Sequence, residues 1–217
     1  MACIVFDLDG TLIDSAPDIN GIANRLLLAN GYAEISLLQT RDFIGNGAGV
    51  FVQKMCDARG IPFERYDELL AQFIAAYDDA VHLTTPYPGV VEALIELRGA
   101  GHKLGVCTNK PIKPTRAVLN HLNLARFFDT VWGGDSLSVH KPDPAPLNAA
   151  FERLGGQNEL FVGDSDVDAD TALAANVPFF LFSKGYRKSP VEQIPHTVSF
   201  SDFTTLPRSI NRVLDTV

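Results

Sequence analysis

The sequence predicts an α/β protein: a doubly wound parallel-sheet (Rossmann-like) core with an inserted α-helical cap. Short apolar runs without alternation, which are typical of strands buried on both faces, alternate with helical spacing from residue 88 onward. Between the first apolar run and this alternation, residues 17–82 have an almost entirely helical pattern. These two observations indicate one sheet-based core interrupted by helices.

Five apolar runs are the predicted strands. They are Cys3 to Phe6, Leu104 to Cys107, Thr130 to Trp132, Leu160 to Val162 and Pro178 to Phe182. The helices between them are predicted at Val90 to Arg98, Thr115 to Leu122, Pro146 to Leu154 and Asp168 to Ala175. Because strand and helix alternate, a parallel sheet with right-handed crossovers is favoured.

The boundaries of the insertion follow from its flanking residues. We expect the cap to span residues 16–83 and the catalytic core to comprise residues 1–15 and 84–217. Ser15 is a candidate N-cap for the first cap helix, and prolines and a glycine close the insertion at residues 86–89. The two linkers are expected near Asp14–Pro17 and His82–Pro88 and to lie side by side, so the insertion is predicted to move over the core as a lid.

Composition limits the classes of function. The chain has 217 residues, 46% of them hydrophobic and 20% charged, which is ordinary for a globular protein. No apolar run approaches the roughly 20 residues of a membrane span, and the N-terminus lacks the basic start of a signal peptide. The net charge of −8 argues against nucleic-acid binding. Three scattered cysteines form no disulfide framework, so we expect a cytoplasmic protein. We expect it to be a monomer or a homodimer.

Two carboxylates follow the first predicted strand. Residues i and i+2 of an extended segment point to the same side about 7 Å apart, so Asp7 and Asp9 can flank one reacting centre. One would attack while the other moves a proton. Gly10 permits a sharp turn, and Thr11 offers a hydroxyl or an N–H to an oxyanion. The alternative is a solvated turn, since Asp and Gly are common turn residues.

A second acidic group follows the run that ends at Val162. Mg²⁺ prefers oxygen ligands, usually one or two carboxylates with waters and a substrate phosphate, and Asp164 and Asp168 are candidate ligands. Ser165 or Asp166 can instead cap the helix that follows. Capping accounts for Asp166, but it does not explain three acids together at a strand end.

Two lysines lie at the remaining strand ends. Lys110 follows Thr108 and Asn109, and Lys141 precedes a proline-rich turn. A lone lysine is usually a solvated surface charge. Two lysines facing a cluster of acids are better interpreted as charge balance for a bound phosphoryl group and its attacking carboxylate.

Together these segments resemble a known superfamily. Asp7-Leu8-Asp9-Gly10-Thr11, Thr108-Asn109-Lys110, Lys141-Pro142 and Gly163-Asp164-Ser165-x-x-Asp168 are similar, in order, to the four signature motifs of the haloacid-dehalogenase-like hydrolases. The resemblance covers nearly the whole chain, including the inserted cap. The residues after Thr108, those after Lys141, and Phe43 to Ala48 resemble the phosphoglycolate phosphatase branch.

The resemblance implies roles for the core residues. Asp7 would be the nucleophile that forms an aspartyl-phosphate, and Asp9 the acid and base. Thr108 would hold the transferring oxygens, and Lys141 would steady Asp7 and the phosphoryl charge. Gly10, Thr11, Asn109 and Lys110 would contact the substrate.

The resemblance also implies a metal site and a substrate-selecting cap. Mg²⁺ would be held by Asp7, the Asp9 carbonyl and Asp164, with Asp168 in support. In the cap, Gly45, Asn46 and Gly47 either face the active site with free N–H groups or form an ordinary helix–helix turn. Arg41 either binds a substrate carboxylate or is an exposed arginine.

The predicted function is hydrolysis of a small phosphorylated metabolite, with 2-phosphoglycolate the best single candidate. Hydrolysis of carbon–halogen bonds on the same fold is disfavoured, because halide leaves unprotonated and Asp9 would have no task. A sugar-phosphate mutase would retain every motif and stays open. A non-catalytic binding module is disfavoured, because every catalytic position holds the expected residue type.

Overall fold

Residues 1–77 and 80–215 are described by the computed structural model, and at their centre lies a parallel sheet. The strands are β1 (Cys3–Phe6), β2 (Ile13–Asp14), β3 (Thr85–Pro86), β4 (Lys103–Cys107), β5 (Thr130–Trp132), β6 (Glu159–Gly163), β7 (Phe179–Phe182) and β8 (Val198–Phe200). Six of them form one sheet in the order β5-β4-β1-β6-β7-β8, with every neighbouring pair parallel. The predicted fold class is confirmed.

Nine helices lie within the described residues. They are α1 (Ala16–Ala29), α2 (Leu37–Phe43), α3 (Gly47–Arg59), α4 (Tyr66–Tyr77), α5 (Val90–Gly99), α6 (Ile112–His121), α7 (Ala145–Leu154), α8 (Asp166–Ala175) and α9 (Leu206–Leu214). Helices α5, α6 and α9 contribute to the apolar cluster on one face of the sheet, and α7 and α8 to the cluster on the other. None of these helices combines the length and apolar character that crossing a bilayer requires.

Strand β1 shows why the apolar runs lack alternation. Ile4 and Phe6 belong to the cluster under α5, α6 and α9, whereas Cys3 and Val5 belong to the cluster under α7 and α8. All four side chains are buried. Because successive side chains of a strand point to opposite faces, a strand covered on both faces must be apolar at every position.

The five predicted strands and the four helices between them are confirmed, with boundaries that differ by up to three residues. Strand β8 and helix α9 were not predicted, nor was the antiparallel ribbon of β2 and β3. In β8 only Phe200 is fully buried, so its apolar signal is weak. The ribbon strands have two residues each, which is too short for a sequence pattern.

Helices α1 to α4 surround an apolar cluster of their own, formed around Leu27, Val52, Met55 and Phe73. The helical pattern predicted between the first strand and the rest of the core is thus present. The predicted cap (16–83) and core (1–15 and 84–217) include residues 78–79 and 216–217, which lie outside the described residues.

The two linkers between these helices and the core are joined by hydrogen bonds. One carboxylate oxygen of Asp18, in the first turn of α1, accepts the backbone N–H of Leu83 (2.9 Å) and of Thr84 (2.7 Å). The same oxygen accepts the Thr84 hydroxyl at 2.6 Å. The linkers therefore lie side by side, as predicted, while the lid motion stays a prediction.

Candidate active site

Side chains from four strand ends meet at the carboxyl edge of the sheet. Asp7 follows β1, Thr108 follows β4, Asp164 follows β6, and Lys141 comes from the loop after β5. Because β1 lies between β4 and β6, Asp7 is at the centre of this edge. Ligands of open α/β sheets bind in such a position, where the strand order changes direction.

Lys141 is the cation at the centre of the site. Its Nζ donates to Asp7 Oδ1 at 2.7 Å and to Asp168 Oδ1 at 2.6 Å. All three side chains are at least nine-tenths buried. Burial lowers the pKa of Lys141, but the carboxylates of Asp168 and Asp7 outweigh it and hold the pKa above its usual value. Lys141 is therefore charged and fixes the orientation of Asp7.

Several buried carboxylates surround the single ammonium group of Lys141. Burial raises the pKa of Asp7 to about 7 although Lys141 acts in the opposite direction. Burial and the neighbouring carboxylate of Asp168 also raise the pKa of Asp164 well above its usual value. The site thus lacks positive charge when all its carboxylates are ionised.

Besides its contact with Lys141, Asp168 binds the residues that follow β6. Its Oδ2 accepts the backbone N–H of Asp164 (3.2 Å) and of Ser165 (3.1 Å), and the Ser165 hydroxyl at 2.6 Å. Ser165 is the N-cap of α8 and completes a capping box with Asp168. Asp166 is therefore not the cap; its carboxylate accepts the N–H groups of residues 188 and 189 instead.

The carboxylate of Asp164 is held by two hydrogen bonds. Its Oδ1 accepts the Thr11 hydroxyl at 2.6 Å, and its Oδ2 accepts the Tyr186 backbone N–H at 2.5 Å. A Cβ at Gly10 would lie 2.5 Å from Oδ2, and one at Gly185 would lie 2.2 Å from it. Gly10 also has a φ of +91°, which L side chains rarely adopt. Two glycines thus make room for this carboxylate.

Asp9 binds a second buried lysine. Its Oδ1 accepts the Ser15 hydroxyl at 2.6 Å, and Lys110 Nζ lies 3.3 Å from both carboxylate oxygens. Lys110 also donates to the hydroxyl of Tyr77 at 3.0 Å. Ser15 occupies the N-cap position of α1, but its hydroxyl makes no capping bond, contrary to expectation. It is used by Asp9 instead.

The donor set of the site fits a hard divalent cation. One carboxylate oxygen from each of Asp7, Asp164 and Asp168 lies within 4.8 Å of the others. Two of these carboxylates, Asp7 and Asp168, share the ammonium of Lys141, and such a cluster of oxygen donors is what Mg²⁺ prefers. Among the described residues the Asp168 carboxylate accepts four hydrogen bonds, that of Asp164 two and that of Asp7 one, so Asp7 and Asp164 have more lone pairs left for a direct metal bond.

The loop after β4 joins the core to the helical insertion. The amide nitrogen of Asn109 donates to the carbonyl of Gly45 at 3.0 Å and to that of Lys141 at 2.9 Å. Its amide oxygen is buried and has no hydrogen-bond partner among the described residues. Thr108, 4% exposed, lines a cavity between the sheet edge and the helical insertion, together with Asp7. Asn109 therefore connects the lysine loop with the turn between α2 and α3.

The turn between α2 and α3 covers the cavity. Gly45 and Gly47 have φ values of +123° and +83°, and both line the cavity together with Asn46. The segment is a helix–helix turn and also faces the site, so the two interpretations of the sequence coincide. Apolar side chains of the insertion, among them Phe51 and Phe73, complete this wall.

Arg41 is not brought to the cavity. Its guanidinium pairs with Asp14 at 3.0 Å and lies 6.0 Å from the centre of the Tyr186 ring. It is absent from the described cavity lining. The guanidinium is engaged at the linker by Asp14, and its contact with a substrate carboxylate stays a prediction.

Tyr186 was missed by the sequence analysis. It lies in the loop after β7, is 7% exposed and lines the cavity. Its hydroxyl donates to Asp14 at 2.6 Å and accepts the N–H of Ala16 at 3.0 Å. The available signal was its place after the fifth predicted strand, at the same edge of the sheet as the four motifs.

Comparison with known proteins agrees with this geometry. Residues 4–182 match the family described as haloacid dehalogenase-like hydrolase. A phosphoglycolate phosphatase of Cereibacter sphaeroides is 45% identical over 217 residues, covering 99% of this chain and 100% of its own. A phosphoglycolate phosphatase of Rhodospirillum rubrum is 39% identical over 214 residues, which cover 94% of this chain and 88% of its own.

A solved structure is similar over nearly the whole chain. The crystal structure of a predicted phosphoglycolate phosphatase from Haemophilus somnus has a TM-score of 0.90 at 31% identity, covering 95% of this chain and 96% of the other. The chain therefore belongs to the haloacid dehalogenase-like hydrolase family. Within that family it is a phosphoric monoester hydrolase, a phosphatase.

Proposed function

We propose that the protein hydrolyses 2-phosphoglycolate to glycolate and phosphate in a Mg²⁺-dependent reaction. The observation that carries the chemistry is the pairing of Asp7 with Lys141 at the centre of the sheet edge, beside the Asp9 carboxylate. The substrate is suggested by relatives named phosphoglycolate phosphatase that align over nearly the full length.

The size of the cavity supports a small substrate. Its volume is about 60 Å³. Phe51, Phe73 and Tyr77 line one side of it, and this arrangement suits a small ester. A sugar-phosphate mutase would use the same core residues, and turnover of glucose 1-phosphate distinguishes the two functions.

The reaction would proceed in two displacements. In the first, a carboxylate oxygen of Asp7 attacks phosphorus, the bond to the leaving oxygen breaks, and Asp9 gives that oxygen a proton. In the second, water attacks phosphorus, Asp9 takes its proton, and the bond to Asp7 breaks. Phosphate is released, and both carboxylates return to their starting state.

The surrounding residues would bind and orient the phosphoryl group. Lys141 holds Asp7 Oδ1, so the carboxylate is aligned before the substrate arrives. Thr108 would donate to a phosphoryl oxygen, and Asn109 would keep the cap turn against the core. Asp7, the Asp9 carbonyl and Asp164 would hold Mg²⁺, with Asp168 in support. When bound, Mg²⁺ would reduce the repulsion between the anionic nucleophile and the anionic ester.

The remaining assignments are part of the same proposal. Residues 16–83 act as the cap that selects the substrate, and residues 1–15 and 84–217 as the catalytic core. Gly45, Asn46 and Gly47 would contact the organic part of the ester. The three cysteines are unpaired and buried, which suits a cytoplasmic enzyme, and we expect a monomer or homodimer.

A panel of phosphomonoesters tests the proposal. Phosphate release from 2-phosphoglycolate should have the highest kcat/KM, should stop in EDTA, and should return with Mg²⁺. Asp7→Asn should be inactive, and Asn46→Ala should change the order of substrates. Label from a radioactive ester should be trapped on Asp7 as acyl-phosphate. Turnover in EDTA, label elsewhere, or isomerisation of glucose 1-phosphate without phosphate release would contradict the proposal.

A further inference from the structure

Tyr77 is a buried residue of α4 that meets the catalytic edge of the core. It is 7% exposed, and its hydroxyl accepts a hydrogen bond from Lys110 Nζ at 3.0 Å. The same ammonium lies 4.2 Å from the centre of the Tyr77 ring. Lys110 belongs to the loop after β4, so this contact joins the helical insertion to the core.

Lys110 has few ways to satisfy its charge. Its side chain is 2% exposed, and the described acceptors of Nζ are the two oxygens of Asp9 and the Tyr77 hydroxyl. An ammonium carries three N–H donors, and a buried donor without a partner is costly. Without the Tyr77 hydroxyl, Lys110 would lose an acceptor and would be held less firmly toward Asp9.

The hydroxyl has no packing role that the ring alone would not fill. The Tyr77 ring packs on Phe73 at 5.2 Å between centroids, within the apolar cluster of the insertion. Burial raises the pKa of Tyr77 to about 12 although Lys110 acts against this, so the hydroxyl is neutral. A phenylalanine would complete the cluster equally well. The hydroxyl is therefore explained by its contact with Lys110.

We propose that Tyr77 is a positioning residue that, through Lys110, holds Asp9 in place for proton transfer while α4 is docked on the core. The inference rests on the proposed function, since it takes Asp9 as the acid and base. It adds a residue of the insertion to the control of the chemical step. The Asp9 carboxylate is therefore correctly placed for proton transfer only when α4 is docked on the core.

The dependence on the leaving group tests this inference. We would measure kcat/KM of Tyr77→Phe on an alkyl phosphomonoester, whose leaving oxygen needs a proton, and on p-nitrophenyl phosphate, whose leaving group does not. General acid catalysis contributes about 10²–10⁴-fold, and partial misplacement of Asp9 should remove about 10-fold with the alkyl ester. The loss with the aryl ester should stay below about 3-fold.

Tyr66→Phe is the matched control. Tyr66 lies on the same helix, and its hydroxyl donates to the Gly49 carbonyl at 3.2 Å within the insertion. The same change there should leave both kcat/KM values within about 2-fold, because it touches neither Lys110 nor Asp9. A loss for Tyr77→Phe that is equal with both esters, or no larger than in Tyr66→Phe, would overturn the inference.

A double variant separates the path through Lys110 from a direct effect. In a Lys110→Met background, the further change Tyr77→Phe should reduce kcat/KM for the alkyl ester by less than about 2-fold, because the connection is already broken. Independent, multiplicative losses would contradict the path. The test needs turnover of any alkyl phosphomonoester, so a failure of 2-phosphoglycolate alone as substrate would count only against the proposed function.

Discussion

The core side of the cavity is charged and closely hydrogen-bonded, whereas the cap side is largely apolar. Lys141, Asp164 and Asp168 each make at least two polar contacts with other parts of the core. Facing them, Phe51 and Phe73 present apolar surface. From this difference we expect the fixed charges of the core to serve the chemistry and the shape of the proposed cap to select the substrate.

Removing the central cation should have the largest effect. In Lys141→Met, Asp7 and Asp168 remain buried without their shared partner. Breaking a buried ion pair in this way costs about 3–5 kcal/mol in the free energy of unfolding. Turnover should fall by at least about 10²–10³-fold. Urea unfolding and phosphate release check both. Lys184→Met, at an exposed position, is the control, and a comparable loss there would contradict the comparison.

The charge imbalance of the core predicts a pH dependence of metal-free stability. The pKa of Asp7 is raised from 3.8 to about 7, so its contribution is fully present below pH 3.8 and is lost as the pH rises through about 7. In EDTA, the Tm should therefore fall by several degrees between pH 5.5 and pH 8, at about 2–4 °C per kcal/mol. Excess Mg²⁺ should remove this fall, because it binds the ionised carboxylates.

Calorimetry of Asp7→Asn provides the control for this pH effect. The variant lacks the ionisable group at position 7, so its Tm in EDTA should fall less between the same two pH values. An equal fall in both proteins would assign the effect to other groups.

Loosening the linkers should affect the cap more than the core. Asp18→Asn removes a negative charge that accepts three hydrogen bonds from Leu83 and Thr84. The loss should be about 1–3 kcal/mol in the free energy of unfolding, with a lower kcat/KM as cap docking weakens. Asp57→Asn, at an exposed position of α3, should change the free energy of unfolding by no more than about 0.5 kcal/mol and should leave kcat/KM nearly unchanged. The comparison fails if the two variants behave alike.

The smallest effect is a difference in thiol reactivity. Cys56 is buried in the insertion, and Cys107 at the end of β4, where burial raises its pKa to about 12. Local opening is easier in a small helical unit than in a central strand. In variants that keep one of these cysteines, alkylation of Cys56 under native conditions should be about 10-fold faster. Equal rates would mean that both regions open together.

The strand-end residues could be predicted from sequence because topology alone brings them together. Asp7, Thr108 and Asp164 each follow a recognisable apolar run, and the ends of parallel strands meet at one edge. Even the pairing of Lys141 with Asp7 agrees with the predicted charge balance. These features depend on the order of the elements and not on the details of side-chain packing.

Contacts between the insertion and the core could not be predicted in the same way. Lys110 lies between Asp9 and Tyr77, because α4 places a hydroxyl there, and its contact with the phosphoryl group stays a prediction. Arg41 is used by Asp14 at the linker. Both outcomes depend on how the helices sit over the sheet, and helical periodicity gives no information about that placement.

The crowding of Asp164 by Gly10 and Gly185 has a consequence for engineering. These two residues come from opposite ends of the chain, and an added methyl group at either would occupy the volume of the carboxylate. Libraries that diversify the segment after β7 to broaden substrate range should therefore leave position 185 unchanged. Variation a few residues further along the segment would spare the acidic group that the chemistry needs.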